Sequence, residues 1–250
     1  MSDDPSQGTY APLNVLKSVA DDVWLVDGPV IRFGPPGLKM PFPTRMTIIR
    51  TRASDLFVHS PTALTSELLA AMAELGQPRW IIAPNRLHYW WTPDWKAAFP
   101  EAEVYLAPRI VEQAGARIDF RYSDLDRDRG YPWDDHITTL PVPSSYMTEF
   151  VFLHGASRTL LLTDLIENFE AKKLSFGMRF LTWIGGCLDP NGSMPRDMRL
   201  AFSKHKPELR AAVKKMIAWD PERIILAHGR WYGCDGAAEL RRAFKWVLED

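Results

Sequence analysis

The sequence predicts an α/β protein built as a four-layer αββα sandwich, with two β-sheets face to face and helices outside. Three observations lead there. Strand patterns open the chain and return in its middle, whereas strands alternate with helices only from about residue 61 to residue 117. After the middle strands the pattern turns helical, and one more strand and a helix close the chain. Continuous Rossmann alternation and an all-β barrel both conflict with that order, while two facing sheets accommodate it. With no repeat of solenoid length, residues 13–250 are expected to form a single domain.

Residues 1–12 read as a flexible polar lead-in. "DDVWLVDGPVIRF" alternates as a strand pair turning at Asp27-Gly28, and "GPPGLKMPFP" reads as a surface loop. "RMTIIRT" and "DLFVHS" form a hairpin whose second strand ends at His59. In "SPTALTSELLAAMAELGQP", Leu64, Leu68, Met72 and Leu75 mark one helical face, and Gly76 and Pro78 stop it. "RWIIAP" is a wholly apolar strand of the buried, parallel kind. Thr92-Pro93 starts a helix with Thr92 as its cap, and "AEVYLAP" and "RIVEQAGAR" add a strand and a short helix. "HITTLPVP", "EFVFLHG" and "TLLLTD" are antiparallel strands, and residues 165–220 are mostly helical, "KPELRAAVKKMIAW" most clearly. "RIILAHG" is a strand. "DGAAELRRAFKWVLE" is an amphipathic helix with Asp235 as N-cap and Leu240, Phe244, Val247 and Leu248 turned inward.

A composition of 46% hydrophobic and 24% charged residues is that of a globular chain and excludes the disordered class. The net charge is −1 and basic residues are spread along the chain, which argues against nucleic acid or an anionic membrane as partner. The start lacks the basic and apolar regions of a secretory signal, and no apolar run approaches the roughly 18 residues of a spanning helix. A soluble, cytoplasmic protein is therefore expected, with Cys187 and Cys234 reduced and inert. Walker A, G-x-S-x-G and H-E-x-x-H patterns are absent. Asp124, Asp126, Asp128 and Asp135 imitate parts of a calcium loop, but Arg129 stands where its turn needs glycine. Ser144 and Ser145 have no local base.

Several apolar strands end in a residue able to bind metal or move protons. "DLFVHS" ends at His59, "RWIIAP" leads into Asn85 and His88, "TLLLTD" ends at Asp164, and "RIILAHG" ends at His228. Strand ends are where loops from separate elements reach one point. Each residue also has a plain structural reading. His59 would cap the following helix, and His88 would pack among Tyr89, Trp90 and Trp91. His228 would be a hydrogen-bonded core histidine. Asp164 is the hardest to treat as ornament, because a carboxylate ending a buried strand needs a metal, a cation or backbone N–H groups beside it.

These motifs carry a resemblance. "TLLLTDLIENF" resembles the strand-then-Asp motif of the metallo-β-lactamase-like superfamily, in which that aspartate can bridge two metals. "RIILAHGRWY" resembles its closing strand and His-Gly. "DLFVHSPTALTSELLAAMAELG" is similar to its early strand, turn and helix, and "IIAPNRLHYWWTPDW" falls where the H-x-H-x-D-H run belongs. The resemblance covers residues 20–248 and is to a degenerate branch grouped as a domain of unknown function. It implies that Asp164 and His228 survive as ligands. Asn85, Leu87, Tyr89 and Trp90 fall on the run's own ligands, and Ser145 or Tyr146 on the histidine of the third motif. His88 is an off-register candidate, with His59 and Glu149 as further substitutes.

That donor set does not supply a standard two-metal site. It allows one zinc or iron ion held by some of His59, His88, Glu149, Asp164 and His228, and it is also compatible with none. The first expectation is a metal-dependent hydrolase of a small, partly apolar substrate, its pocket lined by Asn85, Arg86, Trp90, Trp91, Tyr146, Trp231 and Tyr232. The second is an inactive, fold-retaining protein that binds a small ligand, in which Asp164 pairs with Arg86 or a histidine. The third is mononuclear iron redox chemistry. The pattern assigns no oligomeric state.

Overall fold

The structure, a computed structural model, describes residues 8–33, 39–52 and 54–249. Seven strands make the first sheet in chain order: β1 (Lys17–Ala20), β2 (Val23–Phe33), β3 (Met40–Arg50), β4 (Asp55–His59), β5 (Gln77–Ala83), β6 (Glu103–Leu106) and β7 (Ser123–Asp124). β1 to β4 pair antiparallel, and β4 to β7 are parallel. Helices supply the parallel crossovers: α1 (Ser66–Ala73) joins β4 to β5, α2 (Thr92–Ala98) joins β5 to β6, and α3 (Ile110–Ala114) precedes β7. The second sheet has the order β11-β10-β9-β8, from β8 (Ile137–Pro143), β9 (Thr148–His154), β10 (Thr159–Leu161) and β11 (Arg223–Ile225). α4 (Phe176–Gly185), α5 (Arg196–Ala201) and α6 (Lys206–Ala218) lie between β10 and β11, and α7 (Gly236–Ala243) and α8 (Lys245–Leu248) follow.

Strand alternation separates the layers. Along β9, Phe150 and Phe152 join the cluster that holds Ile48, Phe57, Ile81 and Ile82 of the first sheet. Val151 and Leu153 point the other way, into a cluster with Leu209, Val213 and Met216 of α6 and Leu240 of α7. β10 and β11 divide likewise, Leu161 and Ile225 facing the first sheet and Leu160 and Ile224 the helices. The expected αββα sandwich is thus the observed one.

Several local expectations are corrected. "VWLVDGPVIRF" is one eleven-residue strand, β2, and not a hairpin turning at Asp27-Gly28. Gly28 is there for close approach: a Cβ on it would lie 2.5 Å from Thr44 Oγ1 and 1.7 Å from Thr62 Oγ1. Of the expected loop 34–43, residues 34–38 lie outside the described residues, and Met40–Pro43 already belong to β3. Thr92 does not cap α2. Its hydroxyl is buried without a partner among the described residues, and the N-cap is Trp91. Asp235 sits in the left-handed region (φ 56°) and makes no side-chain cap. The first α7 N–H groups, of Gly236 and Ala237, donate instead to the carbonyls of Glu222 and Pro221. Of the expected flexible lead-in, residues 1–7 lie outside the described residues, whereas Gly8 N–H donates to Lys173 O and Tyr10 packs under Arg45. Cys187 and Cys234 are free thiols. No helix among the described residues is long and apolar enough to cross a membrane.

Candidate metal centre

β10 and β11 are parallel neighbours with Leu161 opposite Ile225. Three residues further on, each chain presents a polar side chain, Asp164 from one and His228 from the other. His88 reaches the same point from the β5–α2 loop. Asn85 folds that loop: its Oδ1 accepts the N–H groups of Leu87 (2.8 Å) and His88 (3.1 Å), an Asx-type turn that aims the His88 ring. One donor atom each from His88, Asp164 and His228 lies within 4.8 Å of the others.

Asp164 Oδ1 is 3.3 Å from His88 Nε2 and 3.2 Å from His228 Nε2. Asp164 Oδ2 faces away and accepts a 2.6 Å hydrogen bond from Asn85 Nδ2, which also donates to Thr163 Oγ1 at 2.9 Å. Burial works against ionisation of Asp164, but His88 and His228 outweigh it and hold its carboxyl below the usual carboxylate range. Each histidine is anchored by its other nitrogen. His88 Nδ1 lies 2.8 Å from Ser60 Oγ, and His228 Nδ1 lies 2.8 Å from the Pro43 carbonyl. Phe42 and Phe169 bracket the His228 ring.

The Pro43 contact fixes a tautomer. A carbonyl oxygen only accepts, so His228 Nδ1 must carry the hydrogen. In neutral His228 the Nε2 lone pair then points at the ionised Asp164 Oδ1, a repulsive contact unless a positive charge lies between them. That charge is either a proton on Nε2 or a metal ion. Two imidazole nitrogens and one carboxylate oxygen are a donor set suited to a single zinc or iron ion.

The other expected residues are distributed around this cluster. Glu149 stands behind it as a clamp, its carboxylate accepting the N–H groups of Thr163 and Asp164 at 2.8 Å each. Burial and the nearby Asp164 push its carboxyl up to about 7. His59 lies in β4 with its ring against Phe152, and its Nε2 is buried without a partner among the described residues. Burial, with His88 adding to it, lowers its pKa to about 3. Neither belongs to the three-residue cluster.

A cavity of about 640 Å³ opens onto His88, Asp164 and His228. Of the residues expected to line it, Trp90, Trp91 and Tyr146 do, and Asn85 sits behind the cluster. Arg86 is turned away. Its Nε donates to Gln113 at 2.7 Å and its guanidinium stacks on Tyr146, so it does not pair with Asp164. Trp231 packs on the inter-sheet core, and Tyr232 is buried beneath α7, where it meets Arg242. Wall residues that the sequence did not single out include Phe33, Met178 and Glu167. Burial raises the Glu167 carboxyl to about 7 against the pull of His228. Only its place three residues after Asp164 could have hinted at it. Ser60 and the Pro43 carbonyl had no signal at all, because their partners are distant in sequence.

The family described as "Domain of unknown function (DUF4336)" matches residues 22–175, more than half of the chain. No curated protein matches it. Among solved structures, a metallo-β-lactamase from Hirschia baltica is 15% identical at TM-score 0.61, the alignment covering 94% of this chain and 97% of that one. The FIM-1 metallo-β-lactamase from Pseudomonas aeruginosa, in its mono-zinc form, is 10% identical at TM-score 0.61, over 94% and 93%. The Flv1 flavodiiron core from Synechocystis sp. PCC6803 is 12% identical at TM-score 0.63, over 98% of this chain and 62% of that one. At such identities the likeness is one of fold.

Proposed function

This chain belongs to the DUF4336 family, and we propose that it is a metal-dependent hydrolase of a small, partly apolar substrate, with a single-ion site. The observation that carries this reading is the convergence of three buried donor groups, His88, Asp164 and His228, at an open cavity, with His228 Nδ1–H committed to the Pro43 carbonyl and its Nε2 turned to Asp164 Oδ1. His88, Asp164 and His228 would hold the ion, and three protein ligands facing a cavity are the pattern of catalytic rather than closed structural sites. When bound, such an ion supplies Lewis-acid polarisation and an acidified water.

The protein's own groups have separate tasks. Asn85 donates to Asp164 Oδ2 and so holds the carboxylate with its Oδ1 turned to the two imidazoles. Ser60 and the Pro43 carbonyl orient the two imidazoles, and Glu149 fixes the backbone that carries Asp164. Trp90, Trp91, Phe33 and Met178 form an apolar wall for the substrate body. Glu167, on the same wall, would be the group that hands a proton to a leaving group.

Metal analysis of protein purified without chelator tests this, with about one equivalent of zinc expected. Asp164→Ala with His228→Ala is expected to abolish uptake while the circular dichroism spectrum persists. Unchanged occupancy would refute the ligand assignment. The cluster also supports a second reading: with His228 as imidazolium, the His88–Asp164–His228–Asn85 network is closed without an ion. Less than about a tenth of an equivalent in freshly purified protein would favour that reading, a binding protein without turnover. Iron in place of zinc would move the proposal to redox chemistry, the class to which the same donors also lend themselves.

A further inference from the structure

α4 is fixed to the protein by Met178 and Thr182 and turns the rest of its apolar side chains outward. Phe176 is 82% exposed, Phe180 54% and Trp183 62%, spaced i, i+4, i+7 so that they form one stripe. Leu181 and Ile184 are also exposed, and both line the cavity, so α4 is part of its rim. Leu200 of α5, 74% exposed, extends the patch. A soluble surface rarely presents so many large apolar side chains together without a use for them.

The charge around this patch says what covers it. Between residues 170 and 206 stand seven Lys or Arg against Glu170, Asp189 and Asp197, and of the seven Lys172 pairs with Glu170, in a chain whose net charge is −1. Arg179 on α4 and Arg196, at the cavity beside the α4 C-terminus, make no ion pair among the described residues. Aromatic side chains flanked by cations such as Arg179 and Arg196 are what an anionic lipid surface accepts: the rings enter the headgroup boundary and the cations meet the phosphates. A second copy of the chain fits less well. The α4 face is about 15 Å long and on the order of 10 Å wide, well short of the ~800 Å² per partner of a stable protein interface.

We propose that α4 is a membrane-surface helix that beds its Phe176–Phe180–Trp183 stripe into anionic lipid and holds the cavity rim against the bilayer. Substrate would then reach the cavity from the lipid phase, which suits its apolar walls. The proposal concerns binding and stands whether or not the cavity carries out hydrolysis.

Sedimentation of the full chain with vesicles tests it, using phosphatidylcholine alone and phosphatidylcholine mixed with phosphatidylserine. The wild type should pellet with the mixed vesicles and much less with the neutral ones. Arg179→Gln with Arg196→Gln should weaken partitioning by about fivefold per charge removed. Phe176→Ser with Trp183→Ser should abolish it, and because both side chains are exposed the thermal transition should be kept. No pelleting with either vesicle, pelleting indifferent to serine at 176 and 183, or equal pelleting with both vesicles would each overturn the proposal. So would a solution dimer of the wild type that the serine variant dissolves.

Discussion

Two side chains near the centre are predicted to show their worth in opposite ways. Asn85 satisfies four groups at once: Asp164 Oδ2, Thr163 Oγ1 and the N–H groups of Leu87 and His88. Asn85→Ala would strand buried polar atoms on both sides, and a loss of about 2–4 kcal/mol in urea unfolding is expected. His59 acts through titration. Burial holds its folded pKa near 3, below its unfolded value of 6.5, so the unfolded chain binds a proton first as pH falls. Its contribution is present above pH 6.5 and declines from there towards pH 3. Glu149 and Glu167, with raised pKa values, respond with the opposite sign, so the difference between wild type and His59→Leu isolates the histidine. Wild type should lose about 2 kcal/mol relative to that variant between pH 7 and pH 5. Parallel denaturation curves at the two pH values would contradict this.

At the level of elements, β2 shows what sequence pattern reads well and what it misreads. Its apolar alternation was legible, but Asp27-Gly28 carried a turn signal that the structure overrules. A glycine is demanded equally by a positive φ and by a neighbour that leaves no room for Cβ, and only the second applies here. Gly28→Ala is therefore expected to cost about 1–3 kcal/mol through overpacking against Thr44 and Thr62, measured as a lowered melting temperature. The strands that deliver Asp164 and His228 were legible because each is a short apolar run with one polar residue just past its end. His88 was legible as a candidate but not as a member of the cluster, since the Asn85 turn that aims it cannot be seen in spacing. The α4 patch escaped for another reason. Charge summed over the whole chain hides a local excess, and an apolar helical stripe looks the same whether it faces a core or the outside.

Across the whole molecule, the buried Arg45 ties the layers together. Its guanidinium pairs with Asp27 at 2.7 Å within the first sheet and donates to the carbonyls of Leu226 (2.6 Å) and Gly229 (2.8 Å) just past β11 of the second. Arg45→Met would leave Asp27 with Lys17 alone and two carbonyls without donors, and a loss of about 3–5 kcal/mol is expected from equilibrium unfolding. The sandwich was readable from element order, whereas the polar bonds between its sheets were not, because Arg45 and Leu226 meet only after folding. The Pro43–His228 bond has the same reach, joining β3 to the loop beyond β11. One imidazole thus has its Nδ1 held by one slab and its Nε2 turned to the Asp164 carboxylate of the other. Any ion captured there would resist sliding of the slabs, and stripping it with a chelator should speed amide exchange along their shared seam, far from the ion itself.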